Sequence, residues 1–309
     1  MSAAAAGTVA VAFALEAAVA EPPARLHPVA WFGRTVAPFD RDWQHPLAVG
    51  ALVAGVLPLA AAGAVAGVVA LAGTGSPVAA AVVAGLALFS TTSLRMLLGE
   101  ARAVVATTRD DLAAARDRLP SLAGRNPDAL SAGELRSAAV ESAAENLADG
   151  LVAPLLAFAL GALVSLPAAA GLAAWVKAVN TLDSMLGYRS KRVGTPSARL
   201  DDAAMWLPAR LSAVLVALAA RDPGALVRAR EHATAPPSPN SGWPMATLAA
   251  VLDRRLAKPD VYELPLGASL PTVSDGERGV RVVGVAGLLA YALTALAAAG
   301  ADSGVVAWP

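Results

Sequence analysis

The chain has 309 residues, of which 56% are hydrophobic and only 16% charged, against roughly a quarter charged in ordinary soluble domains. Its 24 basic and 24 acidic residues cancel, which argues against a disordered chain and against nucleic acid as a partner. The absence of Cys removes disulfides, thiolate nucleophiles and cysteine metal sites, and the low charge points to a lipid bilayer as the medium.

In chain order, residues 1–20 are apolar except for Glu16. No Lys or Arg precedes the run and an acid interrupts it, so it reads as a retained first helix rather than a cleaved signal. Glu16, an acid within an apolar run, is a functional candidate. No Asp, Glu, Lys or Arg lies between Asp42 and Arg95, a gap of 52 residues that holds two spans of about 20 residues each. Residues 73–77, Gly-Thr-Gly-Ser-Pro, read as the turn between spans at 47–72 and 77–94.

Residues 95–119 read as one helix. Leu98, Val105, Leu112 and Leu119 repeat every seven residues as a packing seam, with Arg95, Arg102, Arg109 and Arg116 one step round. That basic stripe is either a solvated flank or an anion contact. Ser131 and Glu134 then form a capping box that opens a helix expected to stop at Gly150. On it Glu141, Glu145 and Asp149 follow at i, i+4, i+8, with Asn146 beside them. Like charges at this spacing cost a few tenths of a kcal/mol per pair, so the row invites either Mg²⁺ or arginine partners.

Residues 150–176 carry no charge and are divided by Pro154, Gly161 and Pro167. Residues 203–220 are apolar apart from Arg210, and 282–301 form a last span. Most of the basic residues fall in four segments, 21–46, 95–149, 177–202 and 221–279, which the positive-inside rule places in the cytoplasm, with the ends, which hold no Lys or Arg, outside. That parity requires 150–176 to be a re-entrant hairpin of two short helices, and 203–220 to be re-entrant or buried. The expectation is an all-α polytopic membrane protein with about 4–6 membrane segments. It is one domain over 1–309, with a cytoplasmic helical segment at 95–149 and a cytoplasmic loop segment at 221–279.

Lys177, Asn180, Thr181, Asp183, Ser184 and Tyr188 crowd into one stretch. Asp201 and Asp202 precede Trp206 and Arg210; adjacent acids suit a metal shared with a phosphate, or a helix cap. Residues 235–244 make a rigid proline-rich loop presenting Ser238 and Asn240. No P-loop, dinucleotide fingerprint, zinc-protease or serine-hydrolase motif occurs. The three His are scattered, and His27, before Pro28, reads as a turn residue rather than a base.

Glu16, Glu21-Pro22, His27-Pro28 and Gly33-Arg34 together resemble the amino terminus of the CbiB/CobD-type cobalamin biosynthesis proteins, the membrane adenosylcobinamide-phosphate synthases. Residues 139–154 look like that family's most distinctive block. Residues 177–188, then 199–202 with 206–210, then 238–244 resemble three more, in family order from about Glu16 to Gly267. Met205 and Met245 depart from the family pattern and carry no role from it.

The resemblance implies amide-bond formation between adenosylcobyric acid and (R)-1-amino-2-propanol or its O-phosphate, using ATP and Mg²⁺. The carboxylate would be activated as an acyl phosphate. It implies catalytic roles for Glu141, Glu145, Lys177 and Asp183, and metal ligands among Glu145, Asp149, Asp201 and Asp202. It implies substrate contacts from His27, Asn146, Asn180, Ser184, Tyr188, Arg210, Ser238 and Asn240, on the cytoplasmic side of the cell membrane. Partners are the corrinoid, the amine and the bilayer; a homo-oligomer or a complex with other cobalamin-pathway enzymes stays open. The competing expectation is a transporter, or a non-catalytic sensor or scaffold relative. A transporter often shows internal repeats, and none is visible here.

Overall fold

The structure, a computed structural model, describes residues 2–188 and 190–300; the carboxyl end expected on the outer side falls outside the described residues. Helix α1 (Ser2–Val19) is followed by α2 (Pro28–Val36), where His27 Nδ1 accepts the Val29 N–H at 3.2 Å. Ser76 both ends α3 (Pro46–Gly75) and caps α4 (Pro77–Thr91): its Oγ accepts the Val78 N–H at 3.2 Å, and Pro77 occupies the first turn. The expected helical hairpin is therefore present.

The helix expected over 95–119 is two helices, α5 (Arg95–Thr107) and α6 (Leu112–Arg118). Asp111 accepts the Ala114 N–H at 2.9 Å and so starts a new helix where the old one would have continued. The seam survives the break, with Leu98, Val105 and Leu119 buried and Leu112 partly buried against the same core. Arg95, Arg102 and Arg109 are exposed, so this flank is a solvated one, while Arg116 turns in to donate to the Leu130 carbonyl at 2.9 Å.

Helix α7 (Ala132–Leu147) opens on the Ser131–Glu134 capping box. It does not stop at Gly150. A π-turn over Ala148–Val152 carries the chain into α8 (Ala153–Ala162). Pro154 supplies the reason: it has no N–H to give and its ring crowds the carbonyl four residues back, which a wider turn relieves. The chain reverses at residues 163–165 into α9 (Leu166–Leu186), capped by Ser165 Oγ on the Ala168 N–H at 3.2 Å. Gly161 is required at this reversal, because a Cβ there would meet the backbone of Ala168 and Ala169. The hairpin expected within 150–176 exists, but its first arm prolongs α7 and its second runs on to Leu186.

Helices α10 (Thr195–Ala204) and α11 (Trp206–Ala219) bend by 46° at Met205. The segment 221–279, expected as a loop, contains α12 (Gly224–Ala229), the buried α13 (Gly242–Leu252) and an antiparallel hairpin, β1 (Arg255–Lys258) and β2 (Tyr262–Pro265). Leu256 pairs with Leu264, and Asp260 takes the left-handed conformation, φ 60°, in the turn. Helix α14 (Val273–Gly300) ends the described chain.

Among the described residues four stretches are long and apolar enough to cross a membrane, Pro46–Gly75, Pro77–Thr107, Ala132–Ala162 and Val273–Gly300, with a fifth if the bent pair counts as one span. The protein is an all-α multi-pass membrane protein. Helix α1 is apolar but shorter than these.

The fold separates into two compact units. The first holds α1–α4, α8–α10 and the end of α14. Its core is α9 against α3, α4 and α8, with Val53, Ala54, Leu182 and Leu186 buried together and Gly171 close to the Ala62 carbonyl. The second unit holds α5–α7, α11–α13, the hairpin and α14 to Ala290. Its core includes Val104, Val105, Leu119, Leu135 and Ala138.

Candidate functional site

The second unit contains the acidic row. Glu141 is 1% exposed. Its Oε1 accepts from Ser137 Oγ at 2.5 Å; its Oε2 accepts from Tyr262 Oη at 2.5 Å and from Arg125 Nη2 at 3.1 Å. Ser137 Oγ also accepts the Ala257 N–H at 2.8 Å, so the carboxylate ties α7 to the hairpin. A buried carboxylate costs several kcal/mol unless it is paired and hydrogen-bonded, and three donors meet that demand here. Burial first, then the Glu141 charge, push the Tyr262 hydroxyl far above the ordinary tyrosine range. Glu141, expected as a catalytic residue, is thus a buried carboxylate held by three protein donors.

Glu145 lies within electrostatic reach of Glu141, Arg125 and Lys258. Asp149 falls in the π-turn. Among the described residues no three His, Asp or Glu side chains come together to hold a metal. The expected set of Glu145, Asp149, Asp201 and Asp202 is therefore no cage of protein ligands. Asn146 Nδ2 is engaged by Ser142, at 3.0 Å to its carbonyl and 3.2 Å to its hydroxyl.

Two of the polar sequence blocks do meet in this unit. Arg210 Nη1 donates to Asn240 Oδ1 at 2.7 Å and to the Trp206 carbonyl at 2.8 Å. Its guanidinium lies 4.5 Å from the Trp206 ring and 5.3 Å from the Trp243 ring. Ser238 Oγ accepts the Asn240 N–H at 3.2 Å and so shapes the loop that presents Asn240. The result is a fixed, partly exposed cation between two indoles, suited to a planar anion.

The first unit gathers the other block on α9. Lys177, Asn180, Thr181 and Ser184 follow at i, i+3, i+4, i+7 and share a face. The Thr181 and Ser184 hydroxyls donate back to the Lys177 and Asn180 carbonyls at 2.8 and 2.9 Å. Lys177 and Thr181 border an otherwise largely apolar cleft of about 120 Å³, closed by Pro28 and Phe32 of α2 and Val65 of α3. His27 stands beside it. Its Nδ1 accepts from Val29, so the neutral ring carries its proton on Nε2, which faces Glu21 Oε2 at 3.8 Å. Burial holds the imidazole below its ordinary value; Glu21 opposes that shift and Lys177 adds to it.

Asp183, on the last turns of α9, is half-buried and feels the charge of Asp202 on α10. Burial first, and then Asp202, hold its carboxyl above the usual carboxylate range. The chain passes close over Asp183 at Gly187, where a Cβ would strike the Asp183 side chain and carbonyl. Asp201 and Asp202 are partly buried neighbours. Tyr188 is exposed, with Lys191 Nζ 5.0 Å from its ring centre. Mg²⁺ commonly takes one or two carboxylates and leaves its other positions to water and phosphate, so this small donor set fits it.

Glu16 is buried, at 2% exposure. Thr92 Oγ1 lies 3.4 Å from Glu16 Oε2, and Tyr291 Oη donates to Thr92 Oγ1 at 3.0 Å. Sequence reasoning marked Glu16 but not these companions, and it missed Arg125, Tyr262 and Lys258 around the acidic row. The alternation in 255–265 about Pro259-Asp260 was the available signal for the hairpin that brings Tyr262 and Lys258 in.

Residues 9–292 match the family model described as CobD/Cbib protein. The "Probable cobalamin biosynthesis protein CobD" of Methanothrix thermoacetophila is 35% identical over 301 residues, 93% of this chain and 94% of that one. The "Cobalamin biosynthesis protein CobD" of Klebsiella pneumoniae is 37% identical over 311 residues, covering 92% of this chain and 94% of its own length. The protein of that name from Mycobacterium tuberculosis is 40% identical over 263 residues, with 82% and 81% covered. No solved structure matches the chain.

Proposed function

The chain belongs to the CobD/CbiB family, and from that membership we propose that it acts in cobalamin biosynthesis as an adenosylcobinamide-phosphate synthase. In this reading it joins adenosylcobyric acid to (R)-1-amino-2-propanol, or its O-phosphate, through an amide bond with ATP and Mg²⁺ as co-reactants. The observation that carries it is the cluster on α9: Lys177 beside His27, and Asp183 beside Asp202.

A carboxylate does not react with an amine until an oxygen becomes a leaving group. Transfer of the terminal phosphoryl group of ATP to the corrinoid carboxylate makes it one, releasing ADP; attack by the amine then expels phosphate and leaves the amide. Lys177 supplies a fixed cation for phosphate oxygens. Asp202 and Asp201 are the carboxylates that would hold Mg²⁺, which neutralises phosphate charge when bound. Asp183 takes the proton from the attacking amine. Its raised pKa suits that task, because a base works best when its proton affinity lies near the working pH. The cleft beside Lys177, at about 120 Å³, is far below the ~300–1,000 Å³ of drug-sized ligand sites, so of the three substrates only the amine enters it. Asn180, on the same face of α9 as Lys177, contacts the corrinoid.

The test is direct. Purified protein in detergent, given adenosylcobyric acid, aminopropanol phosphate, ATP and Mg²⁺, yields the amide by mass spectrometry with one nucleotide consumed per product. Starting from a carboxylate labelled with oxygen-18, one labelled oxygen appears in the released phosphate. Product formed equally well without ATP and Mg²⁺ removes the ligase reading.

A further inference from the structure

A second cavity in the first unit has a different character from the α9 cleft. It measures about 610 Å³ and is open to solvent, and its walls come from two loops. One wall is Asp40, Arg41, Asp42, Trp43 and Gln44, leading into α3 at Pro46; the other is Ser190, Lys191, Arg192 and Val193. Both belong to basic segments, which the distribution of Lys and Arg assigns to the cytoplasm.

The groups on these walls are already arranged. Lys191 Nζ is 2.8 Å from Asp40 Oδ2 and 3.4 Å from the Met185 carbonyl, so one wall is fastened to the other and to the end of α9 that carries Asp183. The Arg41 guanidinium lies over the Trp43 ring at 4.1 Å, and Phe39 stacks on the same ring at 6.2 Å. Trp43 is held in place by its indole N–H, which donates to the Phe39 carbonyl at 3.1 Å. The cavity thus offers cations at Arg41, Lys191 and Arg192, a guanidinium plane backed by two aromatic rings, and a carboxamide at Gln44.

We infer that this cavity is the nucleotide site, seating a magnesium-bound nucleoside triphosphate with its phosphates on Lys191 and Arg192 and its base against the Arg41–Trp43 stack. Guanidinium planes and aromatic rings are the surfaces on which bases stack, and Lys and Arg are the usual phosphate contacts. Its volume lies within the range of cofactor-sized sites, whereas the small aminopropanol phosphate would leave most of it empty. The two acids in the wall sharpen the choice. Asp40 and Asp42 repel a bare phosphate, and a metal-chelated triphosphate brings a compensating charge. The inference rests on the amide-synthase reading for the identity of the nucleotide as ATP, but it can be tested apart from it.

The experiment measures binding of a non-hydrolysable ATP analogue with Mg²⁺ to the full-length protein in detergent, with no corrinoid or amine present. Arg192→Ala, at an exposed position, is expected to raise Kd by about tenfold, the weight of one charge-assisted hydrogen bond, and Arg192→Lys to recover part of it. Trp43→Ala is expected to weaken ATP but leave inorganic triphosphate unchanged, which separates the base from the phosphates. Inorganic phosphate and aminopropanol phosphate are expected to compete poorly. Nucleotide binding that depends on Arg192 in a protein that forms no amide upholds the site and rejects the reaction. Amide formation with wild-type nucleotide affinity in both Arg192→Ala and Trp43→Ala overturns the site and leaves the reaction standing. Competition by inorganic phosphate at the same concentration as the ATP analogue also overturns it.

Discussion

Glu141 and Asp183 are both acids on helices of a membrane protein, and their surroundings differ in the way that separates scaffold from chemistry. In the second unit Glu141 is sealed from water, and three donors satisfy it. In the first unit Asp183 is half-buried, next to another acid rather than a cation, and its neighbourhood opposes its charge instead of completing it. Burial and the neighbouring acid both raise the proton affinity of Asp183, which is how a carboxyl is tuned toward acid–base work. The lesson is that an acid counts as a catalytic candidate by what is missing around it, not by its place in a row of acids.

The contrast can be broken by substitution. The largest expected effect is on stability: Arg125→Ala strands a buried carboxylate and is expected to cost about 3–5 kcal/mol, read from denaturation of the protein in detergent. An unchanged midpoint would mean that Glu141 is not a buried charge held by that arginine. Tyr262→Phe removes one of the three donors and is expected to cost less, about 1.5–3 kcal/mol in the same assay.

A smaller effect sharpens the other half. Asp202→Asn removes a proposed Mg²⁺ ligand and lowers the rate; in the activity that remains, loss of the Asp202 charge lowers the pKa of Asp183, so the acid limb of the pH–rate profile moves to lower pH. A limb that stays put would show that burial alone sets this carboxyl. The sign for stability follows from the same shift. The folded carboxyl holds its proton more tightly than the unfolded chain, so the group favours the folded state at low pH. That contribution is lost as pH rises through the folded value.

Much of this was legible in the sequence. The charge-free gaps located three of the four long apolar stretches, but not Ala132–Ala162, which lies mostly in the segment expected to be cytoplasmic. The Ser76-Pro77 step located the turn of the first hairpin, and Ser131 with Glu134 located the start of α7, because each signal acts within a few residues. The misreadings came from local signals that compete. Asp111 restarted a helix that the heptad seam alone would have continued, and Pro154 forced a π-turn that carried α7 past Gly150 into α8. The site was legible as a set of blocks but not as pairings. Arg125 and Tyr262 reach Glu141 from 16 and 121 residues away, and no periodicity links them. His27 and Lys177, and Asp183 and Asp202, are likewise joined only by packing.

The most direct test compares turnover per folded molecule in Asp183→Asn and Glu141→Gln, with folded fraction measured on the same samples. The account predicts that Asp183→Asn loses about 10²–10⁴-fold in kcat while remaining folded, the usual weight of a general base. It predicts that Glu141→Gln is less stable yet turns over near the wild-type rate once corrected for folded protein. A folded Glu141→Gln that is inactive, beside an Asp183→Asn that turns over normally, would contradict it.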